Sequence, residues 1–278
     1  MTTIYMFPGQ GSQKKGMGAD LFDKYPDICA QADDILGYSI KELCLEDPND
    51  KLGSTDYTQP ALYTVNALSF LNEKEENGQA DIAIGHSLGE YNALFAAAAY
   101  DFSTGLKLVQ KRGELMSKAK GGGMAAIVGL DIDSIKKSLA ENQLDSIDIA
   151  NYNSPGQTVI TGAKEDIEAA QDKFEEARMV VVLKVSGAFH SRHMKDAADE
   201  FADFIMDMKF NDLEIPVIAN CTAQAYANDN IAENLVKQIH NSVYWVDTIM
   251  NILAEDAEAE FKELGPGKVL AGLLRQIK

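Results

Sequence analysis

Basic residues are scarce in this sequence, and so are cysteine and histidine. Of 278 residues, 25 are Lys or Arg against 43 Asp or Glu, a formal charge of −18. That balance argues against nucleic acid or an anionic membrane surface as a partner. The three cysteines, Cys29, Cys44 and Cys221, have no C-x-x-C spacing. They support neither a disulfide framework nor a zinc site, so no metal is expected and a reducing cytoplasm is the expected setting. No apolar run approaches the roughly 20 residues that span a bilayer. The opening residues, MTTIYMFPGQG, lack a basic region and a long apolar stretch, and read as a strand rather than a signal peptide. What is abundant is apolar content, 46% of the chain. That is enough to bury a full core in one large domain, or in one domain carrying an insertion.

Thr3–Phe7 is β-rich and stops at Pro8-Gly9. Helical patterns follow over 19–36 and 59–72, then the charged connection NEKEENGQAD. The stretch DIAIGHSLGEYNALFAAAAY, Asp81–Tyr100, reads as strand, turn and helix. A further helix, with Ser103 as a plausible N-cap, ends at Gly121–Gly123. From Met124 the order becomes strand, helix, strand, strand, helix, strand up to Val185, the split βαβ pattern. After it come a helix (HMKDAADEFADFIMDM), a strand IPVIAN, helices near 231–240 and 246–257, a strand AEFKEL, the turn GPGK and a last helix. The expected architecture is α/β. Residues 1–123 and 186–278 form an α/β-hydrolase-like large domain, and 124–185 a ferredoxin-like βαββαβ domain inserted into it.

GHSLG fits G-x-S-x-G, the turn that lifts a serine out of a sheet onto a helix N-terminus. Amide N–H groups there can bind an oxyanion. Ser87 needs a base. His86 is adjacent in sequence, and adjacent side chains at a sharp turn diverge. His190, in VSGAFHSRHM, follows a strand and small residues in a loop, and suits a site at a sheet edge. His193 reads as a solvated helix start, and His240 as a helix C-terminal cap. No acidic third member stands out, so a Ser–His dyad oriented by the backbone fits equally well.

Projected on a helix, Phe102, Leu106, Leu108, Val109, Leu115 and Met116 form one arc, and Arg112 falls inside it. A buried guanidinium needs an anion, because desolvation costs several kcal/mol. Two partners remain open: an internal Asp or Glu, or a substrate carboxylate gripped by the planar fork. With a serine nucleophile, the second suggests transfer of an acyl group that itself carries a carboxylate.

FPGQGSQKKGMG, GHSLGEYNAL, QKRGELM, GGGMAAIVGL, NYNSPGQTVITG, GAFHS and ELGPGKVLAGL occur in the order seen in malonyl-CoA:acyl carrier protein transacylases. The resemblance covers essentially the whole chain. YTQPALYTVNAL and GAFHSRHM resemble the discrete, trans-acting acyltransferases of polyketide synthases that lack built-in ones. The resemblance implies that Ser87 carries the acyl group and that His190 is its general base and acid. It implies that Arg112 binds the malonyl carboxylate and that the backbone N–H groups of Gln10 and Leu88 form the oxyanion hole. His86, Met116 and Phe189 would line the pocket, with Asn153 near it. Phenylalanine before the histidine goes with malonyl rather than methylmalonyl in this family. The histidine-orienting carbonyl would lie in Ser242–Trp245, where Tyr244 stands in place of the family's glutamine. The implied partners are malonyl-CoA and a phosphopantetheinylated acyl carrier protein of a polyketide synthase, with a fatty-acid role also open. The implied enzyme is a cytoplasmic monomer with no cofactor.

The rival readings are a hydrolase clearing acyl groups from carrier proteins and a non-catalytic docking protein. PGQGSQKKG does not fit the dinucleotide fingerprint, since Lys14 occupies the third glycine position. Carrier proteins and CoA are anionic, so local cations must receive them. Candidates are Lys14, Lys15, Lys111, Arg192, Lys195, Lys268 and Arg275.

Overall fold

A computed structural model describes all residues, Met1–Lys278. Thr3–Phe7 forms strand β1, and helices α1 (Ala19–Phe22), α2 (Pro26–Leu36), α3 (Ile40–Glu46) and α4 (Thr55–Asn77) follow. Then come β2 (Ile82–Gly85), α5 (Gly89–Ala96) and α6 (Phe102–Lys118). The middle of the chain gives β3 (Gly122–Val128), α7 (Ile132–Glu141), β4 (Asp148–Ser154), β5 (Gln157–Ala163), α8 (Lys164–Ala170) and β6 (Met179–Val182). It closes with α9 (Lys195–Ile205), α10 (Ile231–His240), α11 (Trp245–Glu255), β7 (Glu260–Glu263) and α12 (Val269–Ile277). No helix is long and apolar enough to cross a membrane.

The first sheet is parallel in the order β2-β1-β7, with Phe7 opposite Gly85 and Met6 opposite Glu263. Parallel strands are covered on both faces, so they read as unbroken apolar runs. Ile4, Tyr5, Met6 and Phe7 are all buried, and alternate between two cores. Ile4 and Met6 face Trp245, Ile249 and Leu270 from α11 and α12. Tyr5 and Phe7 face the large core built on α4, α5 and α6. The second sheet is antiparallel in the order β4-β5-β3-β6, the ferredoxin-like arrangement. Its period-2 pattern divides cleanly. Ala125 and Ile127 pack on Ile135 of α7 and Ile167 of α8, while Met124 joins the large core. The sheet therefore turns one face to its own helices and the other to the first unit. The chain of β4 also reaches across: Tyr152 N–H donates to Val243 O and Val243 N–H to Ala150 O.

Three expected elements differ. The helix over 19–36 breaks into α1 and α2 ahead of Pro26. Tyr25 takes φ −125°, as the residue before a proline is pushed to do. The helix over 59–72 runs longer, with Pro60 close to its N-terminus. The strand IPVIAN makes only isolated bridges, Ala83 with Val217 and Ile218 with Ala225. Pro216 has no N–H to donate, and contributes only its carbonyl, to Ala83 N–H.

The meeting of β1, β2 and α5 is crowded enough to dictate glycine. A Cβ on Gly85 would lie 2.0 Å from the Gly89 carbonyl carbon, and one on Gly89 would lie 1.9 Å from Phe7 O. Neither obstacle is a flexible side chain. Gly89→Ala is expected to destabilise the fold by about 2 kcal/mol or more. A urea unfolding midpoint unchanged from wild type would contradict this packing.

Candidate active site

Ser87 lies in the turn between β2 and α5 at φ 52°, and His190 lies in its loop at φ 58°. Both occupy the left-handed region, which costs a non-glycine residue on the order of 1 kcal/mol. The turn is braced on both sides. Ser87 N–H donates to Asn220 Oδ1 at 2.7 Å, and Ser87 O accepts from Gln238 Nε2 at 2.7 Å. Asn220 Nδ2 also donates to Gly85 O, at 2.7 Å.

Ser87 Oγ is 2.7 Å from His190 Nε2. On its other side His190 Nδ1 faces two carbonyls, Gln238 O at 2.8 Å and Asn241 O at 3.2 Å. A carbonyl only accepts, so Nδ1 carries the proton and Nε2 is free to take one from Ser87. No carboxylate faces Nδ1, and the ring is held by backbone carbonyls alone. Tyr244 was expected to supply that orientation, and it does not. Its carbonyl accepts from Thr248 at the start of α11, and its ring stacks on Tyr152 at 5.0 Å. The orienting carbonyls come instead from the C-terminal end of α10, where unpaired helical C=O groups are available.

Pro8–Gly11 runs beside the serine turn. A Cβ on Gly9 would lie 2.4 Å from His86 O, so glycine permits the approach. Asn66 of α4 holds this loop by donating to Pro8 O at 2.9 Å, and Asn92 supports it through a 3.0 Å bond. The Gln10 and Leu88 amides donate to no acceptor in the protein. An oxyanion requires N–H groups that have no other acceptor.

Arg112 on α6 is 1% exposed. Its NH1 donates to Gln59 Oε1 at 2.8 Å, and its NH2 to Gln238 Oε1 at 2.9 Å and Ser87 Oγ at 3.2 Å. The guanidinium carbon lies 5.6 Å from the Tyr91 ring centre. It forms no ion pair with any carboxylate, and Nε has no partner. Glu90 is the carboxylate behind it, separated from it by the Gln238 amide. Burial lowers the pKa of Arg112, and Tyr91 and Glu90 oppose that shift.

These groups open into a cavity of about 90 Å³ between the two units. Gln10, Gln59, His86, Ser87, Arg112 and His190 give its polar lining. Met116, Met124, Leu183, Val185 and Phe189 give its apolar wall, and Asn151 enters from β4. Asn153 stands behind the wall: its Oδ1 lies 2.8 Å from His86 Nε2 and fixes that ring from the second sheet. His193 is exposed. His240 ends α10, but burial lowers its pKa and its Nδ1 has no partner, so it is not the cationic cap expected. Gln59, Asn220, Gln238, Glu90 and Asn151 were not singled out in the sequence. Glutamines and asparagines carry no charge or periodicity signal, and Gln59, Glu90 and Asn151 passed unremarked inside the motifs YTQPALYTVNAL, GHSLGEYNAL and NYNSPGQTVITG.

Ser87, His190, Gln10 and the buried Arg112 guanidinium, which has no carboxylate partner, share one cavity. A family model described as the acyl transferase domain matches residues 4–276. The chain belongs to the acyl transferase domain family. As an acyltransferase domain it is 53% identical to the polyketide biosynthesis malonyl CoA-acyl carrier protein transacylase PksC of Bacillus subtilis, over 99% of this chain and 96% of that one. The crystal structure of malonyl CoA-acyl carrier protein transacylase from Burkholderia pseudomallei superposes with a TM-score of 0.97 at 48% identity, covering 100% and 98% of the two chains. The complex PlMCAT:AntF, a type II PKS acyl-carrier protein with its malonyl-transacylase, matches at a TM-score of 0.93 and 37% identity, over 100% and 93%. These neighbours carry the same pairing of a large α/β domain with a small domain.

In this acyltransferase His190 has an unusual setting. Burial, and secondly the Arg112 charge, lower the pKa of His190 to about 3. A base depressed in the fold adds stability above its unfolded pKa of about 6.5, and that contribution is lost as pH falls towards 3. Imidazole ¹⁵N shifts are expected to show His190 neutral, with the proton on Nδ1, throughout pH 5 to 8. In Arg112→Ala its pKa should rise. A wild-type His190 that protonates near pH 6.5 would contradict this electrostatic picture.

Proposed function

We propose that this acyltransferase moves a malonyl group from malonyl-CoA, through an ester on Ser87, to the phosphopantetheine thiol of an acyl carrier protein, in polyketide biosynthesis. The observation that carries this reading is Arg112: a fully buried cation, 3.2 Å from the nucleophile, with only neutral partners. Its outstanding requirement is an anion, and a malonyl carboxylate supplies one at the right distance from the reacting carbonyl. The relatives named for malonyl transfer, and the solved transacylase–carrier complex, support substrate and acceptor alike.

In the first half-reaction His190 Nε2 takes the Ser87 hydroxyl proton as Oγ bonds to the thioester carbon. The oxyanion sits on the Gln10 and Leu88 amides. The C–S bond breaks, and His190 passes the proton to the departing sulfur, so that CoA leaves as its thiol and Nε2 is free again. In the second half the carrier's thiol gives its proton to His190 and attacks the ester. Ser87 Oγ then leaves and regains its proton. The cavity wall supplies selectivity. The Phe189 ring is buried beside His190 and would crowd an α-methyl branch, so we assign preference for malonyl over methylmalonyl to it.

The finer points belong to the same reading: a Ser–His dyad, action as a monomer in the cytoplasm, and no role with nucleic acid. A fatty-acid role is the alternative setting for the same malonyl transfer. For docking, Arg192 is paired with Asp148, Lys195 with Asp199 and Lys111 with Glu114. Lys14, Lys15, Lys268 and Arg275 have no ion-pair partner and are the cations left to meet an anionic carrier. A hydrolase clearing simple acyl groups has no use for Arg112 in this position.

Intact mass after incubation with malonyl-CoA is expected to show one malonyl adduct on the wild type and none on Ser87→Ala. Malonylation of the alanine variant would overturn the assignment. Arg112→Ala should lose about 10²- to 10³-fold in kcat/KM for malonyl-CoA while acetyl transfer holds or rises. Equal turnover of malonyl-CoA and methylmalonyl-CoA by the wild type would remove Phe189 from the selectivity account.

A further inference from the structure

Glu90 sits three residues after the nucleophile, in the first turn of α5, and is fully buried. It forms no ion pair. Instead it accepts three hydrogen bonds. Oε1 takes Asn220 N–H at 3.1 Å and the Tyr226 hydroxyl, and Oε2 takes Gln238 Nε2 at 2.6 Å. The two amide residues it holds are those that brace the site. Asn220 accepts the Ser87 N–H through its side chain. Gln238 donates to Ser87 O and accepts from Arg112 NH2.

The orientation of the Gln238 amide follows from this arrangement. Its Nε2 faces two acceptors, Ser87 O and Glu90 Oε2, and its Oε1 faces a donor, Arg112 NH2. A flipped amide would set oxygen against oxygen and N–H against N–H at all three contacts. Ser87 O alone is a weak determinant, since it already accepts from Glu90 N–H. Two groups fix the amide from its two ends: Arg112 NH2, which can only donate, takes Oε1, and the Glu90 carboxylate, which when ionised can only accept, takes Nε2.

We propose that Glu90 is a positioning residue for acyl selection: it locks the Gln238 amide, and the locked amide holds Arg112 with its fork open to a substrate carboxylate. This rests on the malonyl-transfer reading above. Glutamine at 90 cannot replace it. An NH2 in the Oε2 place meets Gln238 Nε2, and one in the Oε1 place meets Asn220 N–H. Either conflict disturbs Gln238 or the serine turn.

The same carboxylate has a titration to observe. Burial raises the pKa of Glu90 to about 7, against the lowering effect of the bonds from Tyr226, Gln238 and Asn220 and of the Arg112 charge. The titratable groups facing it are Arg112 from α6, Tyr91 from α5, Tyr100 from the α5–α6 turn, and Cys221 and Tyr226 from the segment before α10. His190 is lowered far from this range, so it does not supply a change near neutrality. Protonation gives Glu90 a donor of its own and weakens its hold on Nε2. Selectivity for malonyl over acetyl should therefore fall as pH drops through about 7.

The test measures kcat/KM for acylation of Ser87 by malonyl-CoA and by acetyl-CoA in the full chain, from about pH 5.5 to 9. Glu90→Gln is expected to lower the malonyl-to-acetyl ratio by about tenfold and to abolish its dependence on pH. Tyr226→Phe removes one bond to the carboxylate and should move the midpoint to higher pH with the fold intact. Equal losses for both substrates in Glu90→Gln, or a midpoint that survives there or stays fixed in Tyr226→Phe, would overturn the proposal. A wild type that fails to acquire malonate on Ser87 would instead overturn the underlying reading.

Discussion

A cation buried without an anion is the condition around which this site is arranged. Removing a guanidinium from water costs several kcal/mol, and hydrogen bonds to neutral amides return only part of it. Arg112 is held by Gln59 from α4, Gln238 from α10 and the Tyr91 ring from α5. None of these cancels its charge. A glutamate in the place of Gln59, the isosteric carboxylate, would fill the fork from within and leave less of the charge for a substrate. The neutral partners fix the geometry and leave the charge unspent.

The serine turn depends on a second constraint, close backbone approach. Gly85 and Gly89 let β1, β2 and α5 touch where no Cβ fits, and Gly9 brings a third backbone segment against His86 O. That crowding holds Ser87 at positive φ, and two further bonds from Asn220 and Gln238 keep it there. The turn leaves the Leu88 amide without an acceptor in the protein, and the neighbouring loop leaves the Gln10 amide so. Strain at Ser87 is therefore offset by contacts spread over three segments far apart in the chain.

Much of this was legible in the sequence because it is carried by residues with strong signals. G-x-S-x-G marks the turn, and the βαββαβ order marks the second sheet. Arg112 stood out because a charge breaks an apolar arc. Gln59 and Gln238 were invisible: they lie in the first turns of α4 and towards the end of α10 as ordinary polar residues, and only the packing of α4, α6 and α10 brings them to one guanidinium. The orienting carbonyl was misplaced for a related reason. A backbone oxygen leaves no trace in residue identity, so its assignment to Tyr244 rested on a segment match alone. Geometry moved it to the end of α10, where Gln238 serves Arg112 with its side chain and His190 with its carbonyl. The strand expected at IPVIAN failed more simply, since a proline within it removes a ladder donor.

The charge proposed to select the substrate also adds to the weakening of the proposed base. Burial depresses His190 most, and the uncancelled Arg112 charge adds to it. A carboxylate lying on Arg112 leaves the burial in place and cancels much of that second contribution. His190 is then a stronger base with an acid-bearing acyl group in the cavity than with an acetyl group. General-base catalysis improves as the base's pKa rises towards the working pH. A carboxylate on Arg112 would also compete for the NH2 that donates to Ser87 Oγ at 3.2 Å, which frees a lone pair of that oxygen. An acetyl thioester does neither. Discrimination between the two is thus built into the chemical step as well as into binding, and both effects trace to a single buried arginine that the protein itself does not neutralise.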